Sequence, residues 1–448
     1  MGTNTIEQSL IFGDIQKIVQ NTNEKYTSFQ YEVWLHTPDL DYQLEQLISV
    51  EYMRNFNNNL GDHVVITANI PGGLFIKQIY PYRDILEVSI RKVFPKGDYE
   101  NIDNRYKFVL TNNTGAIEGS RYSNDTEEEL DKKEAFKIEG QCIDRELIGI
   151  MNQPIKLFQI KEVAERLIPA ILVNSLSEMK IEGQPLKLKI DMVPPDNKEQ
   201  IELLIPSGMN AIEIPTYAQM SESGGVYNYG LGCYFWNKLG KEPILFIYPL
   251  FSPHRFDNAG KCKKLLFFYT GTSKYDNIEN TYYEDGDSIM VIAGSNSQAV
   301  DKGETEYINT GDSVMIPSQK GMNERNVELG SSSVSVDVEG SASSHGVKQR
   351  RDGFNIVKTV NTRNTCKYFS GLNEKSMTQY TITWNYAEPD LVYPGMPCCY
   401  IYQHKEKGVL KLTGQVQAIY YRYTKEKKTI SALVVILVQN PAFYADKI

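Results

Sequence analysis

Apolar and polar residues alternate along much of the chain, which is the pattern of half-buried β-strands. Within residues 84–94 (DILEVSIRKVF), Leu86, Val88 and Ile90 fall on one face and the residues between them are polar. The same alternation predicts strands in several other segments, among them 60–73 (LGDHVVITANIPGG), 73–84 (GLFIKQIYPYRD, stopped by Pro81), 136–142 (broken at Gly140), 186–193 (LKLKIDMV), KKLLFFYTG, SIMVIAG, YTITWNY, CCYIYQH, VLKLTGQVQAIYYRYT and TISALVVILVQ.

The period changes in two places. Apolar residues over 155–180 are spaced as on a helix, which we expect to be bent or interrupted at Pro169; they are Phe158, Val163, Leu167, Ile168 and Ile171. The polar lead-in, residues 1–28, also carries a roughly helical spacing, at Leu10, Ile11, Ile15 and Ile18. The chain is therefore predicted to be mainly β with minor α, an α+β protein.

Shifts in composition divide the 448 residues into segments, since one core rarely serves so long a chain. An acidic stretch at 119–134 is expected to be an exposed loop or a short surface helix. Short strands with tight turns in the last segment indicate a barrel or a sandwich. The predicted segments are a lead-in (1–28), a first β domain (29–154), a mixed α/β middle domain (155–251), a β-rich middle domain (252–321), a Ser/Gly-rich loop or linker (322–353) and a C-terminal β domain (354–448).

Charge and composition exclude several classes. The net charge of −9 argues against general or specific nucleic-acid binding, because phosphates recruit Lys and Arg. No apolar run reaches membrane-spanning length, and ISALVVILV (430–438) is the size of a strand, so no membrane insertion is expected. The 29 Tyr suit strands and contact surfaces.

The sequence offers little catalytic or metal-binding chemistry. None of the six Cys forms a CxxC pair or a zinc-spaced cluster, so free thiols and no cofactor or metal are expected. Cys398 and Cys399 are adjacent, so in a strand they point to opposite faces. The best carboxylate cluster is TYYEDGDS (281–288), and an acidic turn between two strands is the favoured interpretation of it. We therefore predict that the protein is not an enzyme.

Four aromatic segments are punctuated by Pro and Gly: IYPYRD (79–84), YNYGLGCYFW (227–236), IYPLF (247–251) and VYPGMP (392–397). Pro ends a strand, Gly turns the chain, and the aromatic rings supply contact area. Because corners project from a domain, the candidate contact residues are Tyr80, Tyr82, Tyr393 and Met396. The alternative for each is burial in its own domain, which is the more frequent outcome for aromatic residues and Met.

Taken in order, three stretches resemble the baseplate hub proteins of contractile-tailed bacteriophages. They are IPGGLFIKQIYPYRDILEVSIRK (70–92), the segment from IELLIPSGMNAIEIPTYAQ to ILFIYPLF (201–251), and DLVYPGMPCCYIY with LTGQVQAIYYRYT. The resemblance implies two antiparallel β-barrels, drawn from 29–145 and 354–440, so that 29–154 and 354–448 become the β-barrel domains beside mixed α/β middle domains. It also implies a homotrimeric ring, or symmetry adaptor, around a channel for the tape measure protein and DNA.

The implied partners are further copies of the chain, the tail spike protein, tail tube or tube-initiator proteins, the tape measure protein and baseplate wedge proteins. The implied location is the tail baseplate of the virion, after synthesis in the host cytoplasm. Two alternatives stay open: a peripheral baseplate or wedge structural protein, and a cell-wall-degrading tail enzyme. The carboxylates of such an enzyme would be Glu284, Asp285 and Asp287.

Overall fold

The fold is described from a computed structural model, which shows the chain to be mainly β with minor α. The described residues are 15–20, 29–57, 61–93, 102–111, 136–177, 179–181, 184–186, 188–236, 243–269, 282–301, 308–309, 313–317, 333–334, 354–358, 364, 366, 370, 373, 377–404, 408–425 and 430–439. The segment 119–134 and almost all of 322–353 lie outside them, so the expectations for these segments remain predictions.

The N-terminal third supplies seven strands of one large sheet. Most of their inward positions are apolar, as in β1, where Tyr31, Val33 and Leu35 are buried. The strands are β1 (Gln30–His36), β2 (Asp41–Gln43), β3 (Gln46–Asn55), β4 (His63–Ile70), β5 (Glu87–Val93), β6 (Ile102–Leu110) and β7 (Phe136–Ile143).

The last third of the chain extends the same sheet. Its strands are β23 (Met377–Trp384), β24 (Pro397–His404), β25 (Gly408–Thr424) and β26 (Ala432–Gln439). The long β25 pairs with β24, with β26 and, antiparallel, with β3. Tyr421 lies opposite Tyr52 in the β25–β3 pair, and the two rings stack with centroids 4.9 Å apart. A single hydrophobic core therefore includes side chains from both ends of the described chain.

The pairings leave this sheet open. Its main path ends at β2 on one side, and no pairing of the described strands closes it into a barrel. The other end is formed by β15 (Lys264–Tyr269), β16 (Tyr282–Asp285) and β17 (Ser288–Ile292), with β18 (Ser295–Asp301) beside β23. A separate four-stranded sheet contains β19 (Ile308–Asn309), β20 (Ser313–Pro317), β21 (Ser333–Val334) and β22 (Phe354–Lys358).

The middle of the chain forms a second core around helices. Residues Ala164–Leu176 form the main helix, which continues through Pro169. The helices are α1 (Arg145–Met151), α2 (Ala164–Leu176) and α3 (Ile214–Met220), with a 3₁₀ turn at Ala211–Glu213, and the strands are β8 (Phe158–Val163), β9 (Lys180–Ile181), β10 (Gln184–Pro185), β11 (Lys189–Met192), β12 (Gln200–Ile205), β13 (Leu231–Trp236) and β14 (Ile244–Pro249). None of the helices in the described part of the chain is long and apolar enough to cross a membrane.

The sheet of β11, β14 and β13 lies between the two cores. Because side chains alternate along β13, Cys233 and Phe235 join the middle core, whereas Tyr234 and Trp236 join the large-sheet core. Every residue of β13 after Gly232 is buried, and these residues are Cys, Tyr, Phe and Trp. Strands buried on both faces carry this kind of continuous apolar run.

A short helical segment covers the outer face of the large sheet. Residues 15–20 are helical, and Ile15 and Ile18 pack in a small third cluster with Phe268, Met290 and Cys399. Cys398 belongs instead to the large core, so the two adjacent thiols point to opposite faces as predicted. The helical spacing of the lead-in is confirmed over residues 15–20.

Three local predictions were wrong. Residues 73–84 are helical rather than a strand: a π-helical turn, Phe75–Ile79, leads into a 3₁₀ turn, Tyr80–Tyr82. Gly140 does not break β7, because it lies in the strand where a Cβ would collide with the ring of Phe108. The helix predicted over 155–180 begins only after β8, so Phe158 and Val163 lie in a strand.

Candidate functional site

A buried ion network joins the segments that build the two cores. Asp390, in the turn before β24, lies at its centre and accepts from Lys92 Nζ at 2.6 Å and from both Nη atoms of Arg54 at 3.2 Å. Lys92 also donates to Glu388 at 2.8 Å, and Arg54 Nε donates to Asp62 at 2.9 Å. Tyr234 of the middle segment donates to Asp62 at 2.6 Å. The network therefore ties together three parts of the chain.

Burial and the neighbouring charges shift the pKa values of Asp390 and Lys92 in opposite directions. Burial alone would raise the pKa of Asp390, but Lys92 and Arg54 hold it well below its ordinary value. Burial alone would lower the pKa of Lys92, and Asp390 and Glu388 raise it instead. The ionised forms are therefore the stable ones in the folded chain, as expected for buried charges with hydrogen-bonded partners.

Aromatic rings enclose the two cations. The guanidinium of Arg54 lies 5.4 Å from the ring centroid of Tyr52, 5.6 Å from Trp236 and 5.5 Å from Tyr421. Lys92 Nζ lies 3.9 Å from the ring centroid of Phe29. Cation–π contacts of this kind gain strength when they are desolvated. The arrangement holds segments of the chain together.

Three of the aromatic segments meet at Tyr248. Its ring lies against Gly232 from one segment and Gly395 from another, with so little space that a Cβ added at Gly395 would lie 2.5 Å from Tyr248 Cδ2. Its hydroxyl donates to the carbonyl of Phe56. Glycine is needed at these positions because the ring approaches the backbone, and Gly395 also has a φ of 66°. The segment 79–84 lies elsewhere.

A cleft of about 790 Å³ opens beside Tyr248 and the ion network. Its buried floor includes Trp236, Tyr248 and Arg255, and its rim includes the exposed His254 and Lys263. Asp191, Asp196 and Asp390 also contribute to the lining. The volume lies in the range in which proteins hold small ligands or a few residues of a peptide.

The four predicted contact residues differ in burial and in their partners. Tyr80 is half-buried, with the Arg83 guanidinium 4.5 Å from its ring centroid, and Tyr82 donates to Asp39. Tyr393 lines the cleft and donates to the carbonyl of Lys263 at 2.9 Å. Met396 is fully buried in the large core, so it offers no surface to a partner in this conformation. Contact roles for the three tyrosines stay predictions.

Residues 282–288 of the acidic segment lie in the hairpin of β16 and β17. Glu284 and Asp285 end β16 and pair across to β17, with Gly286 and Asp287 in the turn between them. Glu284 lies 3.3 Å from the Lys263 ammonium. An acidic turn between two strands is therefore what the structure shows there.

The sequence contained a signal for the ion network that the prediction missed. Lys92 follows Val88 and Ile90 at the next inward position of β5, and Arg54 follows Tyr52 in the same way along β3. A charged residue at an apolar position of a period-two pattern must find a buried counter-charge. Arg255 carried no such signal, because it lies in an irregular turn.

Similarity of this chain to known proteins is found in structure and not in sequence. No family model matches the sequence, and no curated protein does. The chain is similar in structure to the tail protein from Neisseria meningitidis MC58, with a TM-score of 0.42, 10% identity, and coverage of 93% of this chain and 98% of that one. It is also similar to the 43 kDa tail protein of prophage MuSo2 from Shewanella oneidensis, with a TM-score of 0.43, 10% identity and coverage of 93% and 98%.

A third similar structure is an E. coli component of the type VI secretion system, described as resembling the T4 tail proteins gp27 and gp5. Its TM-score is 0.40, its identity is 6%, and the alignment covers 91% of this chain and 77% of that one. These structural neighbours are two tail proteins and a component of the type VI secretion system. The motifs of the sequence resemble the same class of protein.

Proposed function

We propose that this chain is a structural, non-enzymatic hub of a phage contractile-tail baseplate, located in the virion tail. The observation that carries the proposal is the meeting of motifs at Tyr248: two of the three stretches that resemble hub proteins in the sequence, 201–251 and the one that contains 392–397, pack against one another in the fold. The mainly β architecture and the acidic charge support it, since an acidic wall does not retain DNA.

In this proposal three copies form a ring that adapts a threefold spike to a sixfold tail tube. Residues 29–145 and 354–440 supply the two barrel-like units of each copy, and the channel carries the tape measure protein and DNA. Tyr80, Tyr82 and Tyr393 are the candidates for subunit or tube contacts, because each is only partly buried. Wedge proteins bind at the periphery.

Mass and shape measurements test the ring. Light scattering and negative-stain imaging of the purified chain, alone and with its spike protein, should give three times 51.1 kDa and a ring with a central hole. A monomer under both conditions would reject the hub and favour a peripheral baseplate protein.

A peptidoglycan zymogram tests the non-enzymatic role separately. We expect no lytic activity from the wild-type chain. Clearing that disappears in Glu284→Gln would establish the enzyme instead, and clearing that persists in this variant would place the lytic residues elsewhere.

A further inference from the structure

Arg255 is a buried cation without an anionic partner. The residue is 9% exposed, and its Nε donates to the carbonyl of Gly395 at 3.3 Å. Among the described residues, no carboxylate lies within ion-pair distance of its guanidinium. A buried charge is normally paired, so the remaining N–H donors of Arg255 lack the anion that such a site normally contains.

Two other charged groups of the cleft, Lys263 and Asp390, already have ion-pair partners. Lys263 is paired with Glu284 at 3.3 Å, and Asp390 is held by Lys92 and Arg54. Asp196 accepts the backbone N–H of Asn228 at 3.3 Å. Among the described residues of this lining, Arg255 is thus the permanently charged group that retains donors for an incoming anion.

The shape and charge of the cleft restrict that group. Aromatic walls from Trp236, Phe246 and Tyr393 suit an apolar side chain beside the anion. Asp191 and Asp196 in the same lining disfavour a multiply charged anion such as phosphate, and their oxygens are able to accept hydrogen bonds from the backbone N–H groups of a bound peptide. A single carboxylate attached to an apolar residue and a peptide backbone matches all three features.

We propose that the cleft binds the C-terminal carboxylate of a partner polypeptide whose last residue is apolar. Arg255 holds the carboxylate in the bidentate geometry that guanidinium favours, and the aromatic wall holds the last side chain. A C-terminal residue carries its carboxylate and side chain on one Cα, so both fit the same cavity. The proposal does not require the threefold ring.

Calorimetric titration of the full chain with short peptides tests this site, and a change in tryptophan fluorescence, to which Trp236 in the cleft contributes, gives a second readout. The probes are acetyl-Gly-Leu-Phe as the free acid, its C-terminal amide, acetyl-Gly-Glu-Phe amide and inorganic phosphate. We expect the free acid to bind at least about tenfold more tightly than every other probe. Equal binding of acid and amide, no binding of the acid at about 10 mM, or preference for the internal Glu or for phosphate would overturn the proposal.

Two variants locate the carboxylate. Arg255→Gln should lower the affinity for the free acid by roughly 10- to 100-fold and leave the affinity for the amide unchanged. Lys263→Ala, a cation of the same rim that is already paired, should change either affinity by less than about threefold. An Arg255→Gln chain that binds the acid normally would overturn the proposal. Should Arg255→Gln fail to fold, the wild-type comparison of acid with amide decides alone.

Discussion

Lys92 Nζ lies 2.6 Å from Asp390 Oδ2, although 298 residues separate the two in the chain. This contact crosses from β5 to the turn before β24, and Asp390 extends it to Arg54 on β3. Because the charges are buried, their contribution to the free energy of unfolding depends on every partner being present. The network fixes how the first and last thirds of the chain fit together.

Replacement of Asp390 by Ala should lower the free energy of unfolding by about 3 to 5 kcal/mol, because it leaves Lys92 and Arg54 buried with fewer counter-charges. Urea unfolding measures the change. Asp287→Asn, in the exposed turn of the hairpin of β16 and β17, serves as the control and should stay within about 0.5 kcal/mol of wild type. A loss below about 1 kcal/mol for Asp390→Ala would show that the network does not hold the fold.

The pH dependence of stability follows from the same groups. The pKa of Asp390 is depressed in the folded chain, so its contribution is present above its ordinary value of 3.8 and is lost as pH falls through the lower folded pKa. The pKa of Lys92 is raised above 10.5, so its contribution is present below that value and is lost as pH rises through the folded pKa.

The stability difference between wild type and Asp390→Ala should therefore be constant from about pH 5 to about pH 9 and shrink below about pH 4. Denaturant titrations at several pH values measure it. A difference that changes steeply near neutral pH would contradict the assignment, because neither group titrates there.

The glycines around Tyr248 should resist substitution. Gly232→Ala should cost about 1 to 3 kcal/mol through overpacking against the ring. Gly395→Ala should cost about 1 kcal/mol more, because its φ of 66° is left-handed. Gly208→Ala is the matched control: its φ is 86°, but nothing lies within 4 Å, so only the backbone cost of about 1 kcal/mol applies.

Thermal unfolding compares the three glycine variants. A double variant, Gly232→Ala with Tyr248→Ala, separates contact with the ring from other effects, since removing the ring removes the clash. Strictly additive losses would show that Tyr248 is not what excludes the Cβ.

One thiol should react quickly in the native chain. Cys262 is exposed, whereas Cys142, Cys233, Cys366, Cys398 and Cys399 are buried. Burial raises the pKa of Cys233 and Cys399 to about 12, and thiols react as thiolates. Titration with an aromatic disulfide reagent near pH 8 should show one fast thiol per chain, and Cys262→Ser should abolish this phase. Two or more fast thiols would contradict the described burial.

Local patterns predicted much of the fold. Strands such as β5, β15 and β26 follow from their alternation or their apolar runs, and the helix through Pro169 follows from its spacing. The strand predicted over 73–84 was wrong. Phe75 and Ile79, the two buried residues of the helical turn found there, are four positions apart, which is a helical spacing and not the alternation of a strand. Their spacing was the signal for a helix.

Long-range features could not be predicted in the same way. Nothing in the period of β3 or β25 specifies that they pair, because alternation fixes which face is buried and not which strand lies alongside. The position of Arg255 in the cleft depends on three distant segments and has no local signature. Among the four predicted contact residues, Met396 is in the core, where an apolar residue beside a corner is commonly found.

The pairing of β3 with β25 also sets an order of events during synthesis. Residue 55 leaves the ribosome roughly 20 to 70 s before residue 418, which lies opposite it in the sheet. During that interval β3 keeps one edge without its native neighbour, and exposed edges recruit other strands. The nascent chain therefore depends on protection of this edge until its last third has emerged.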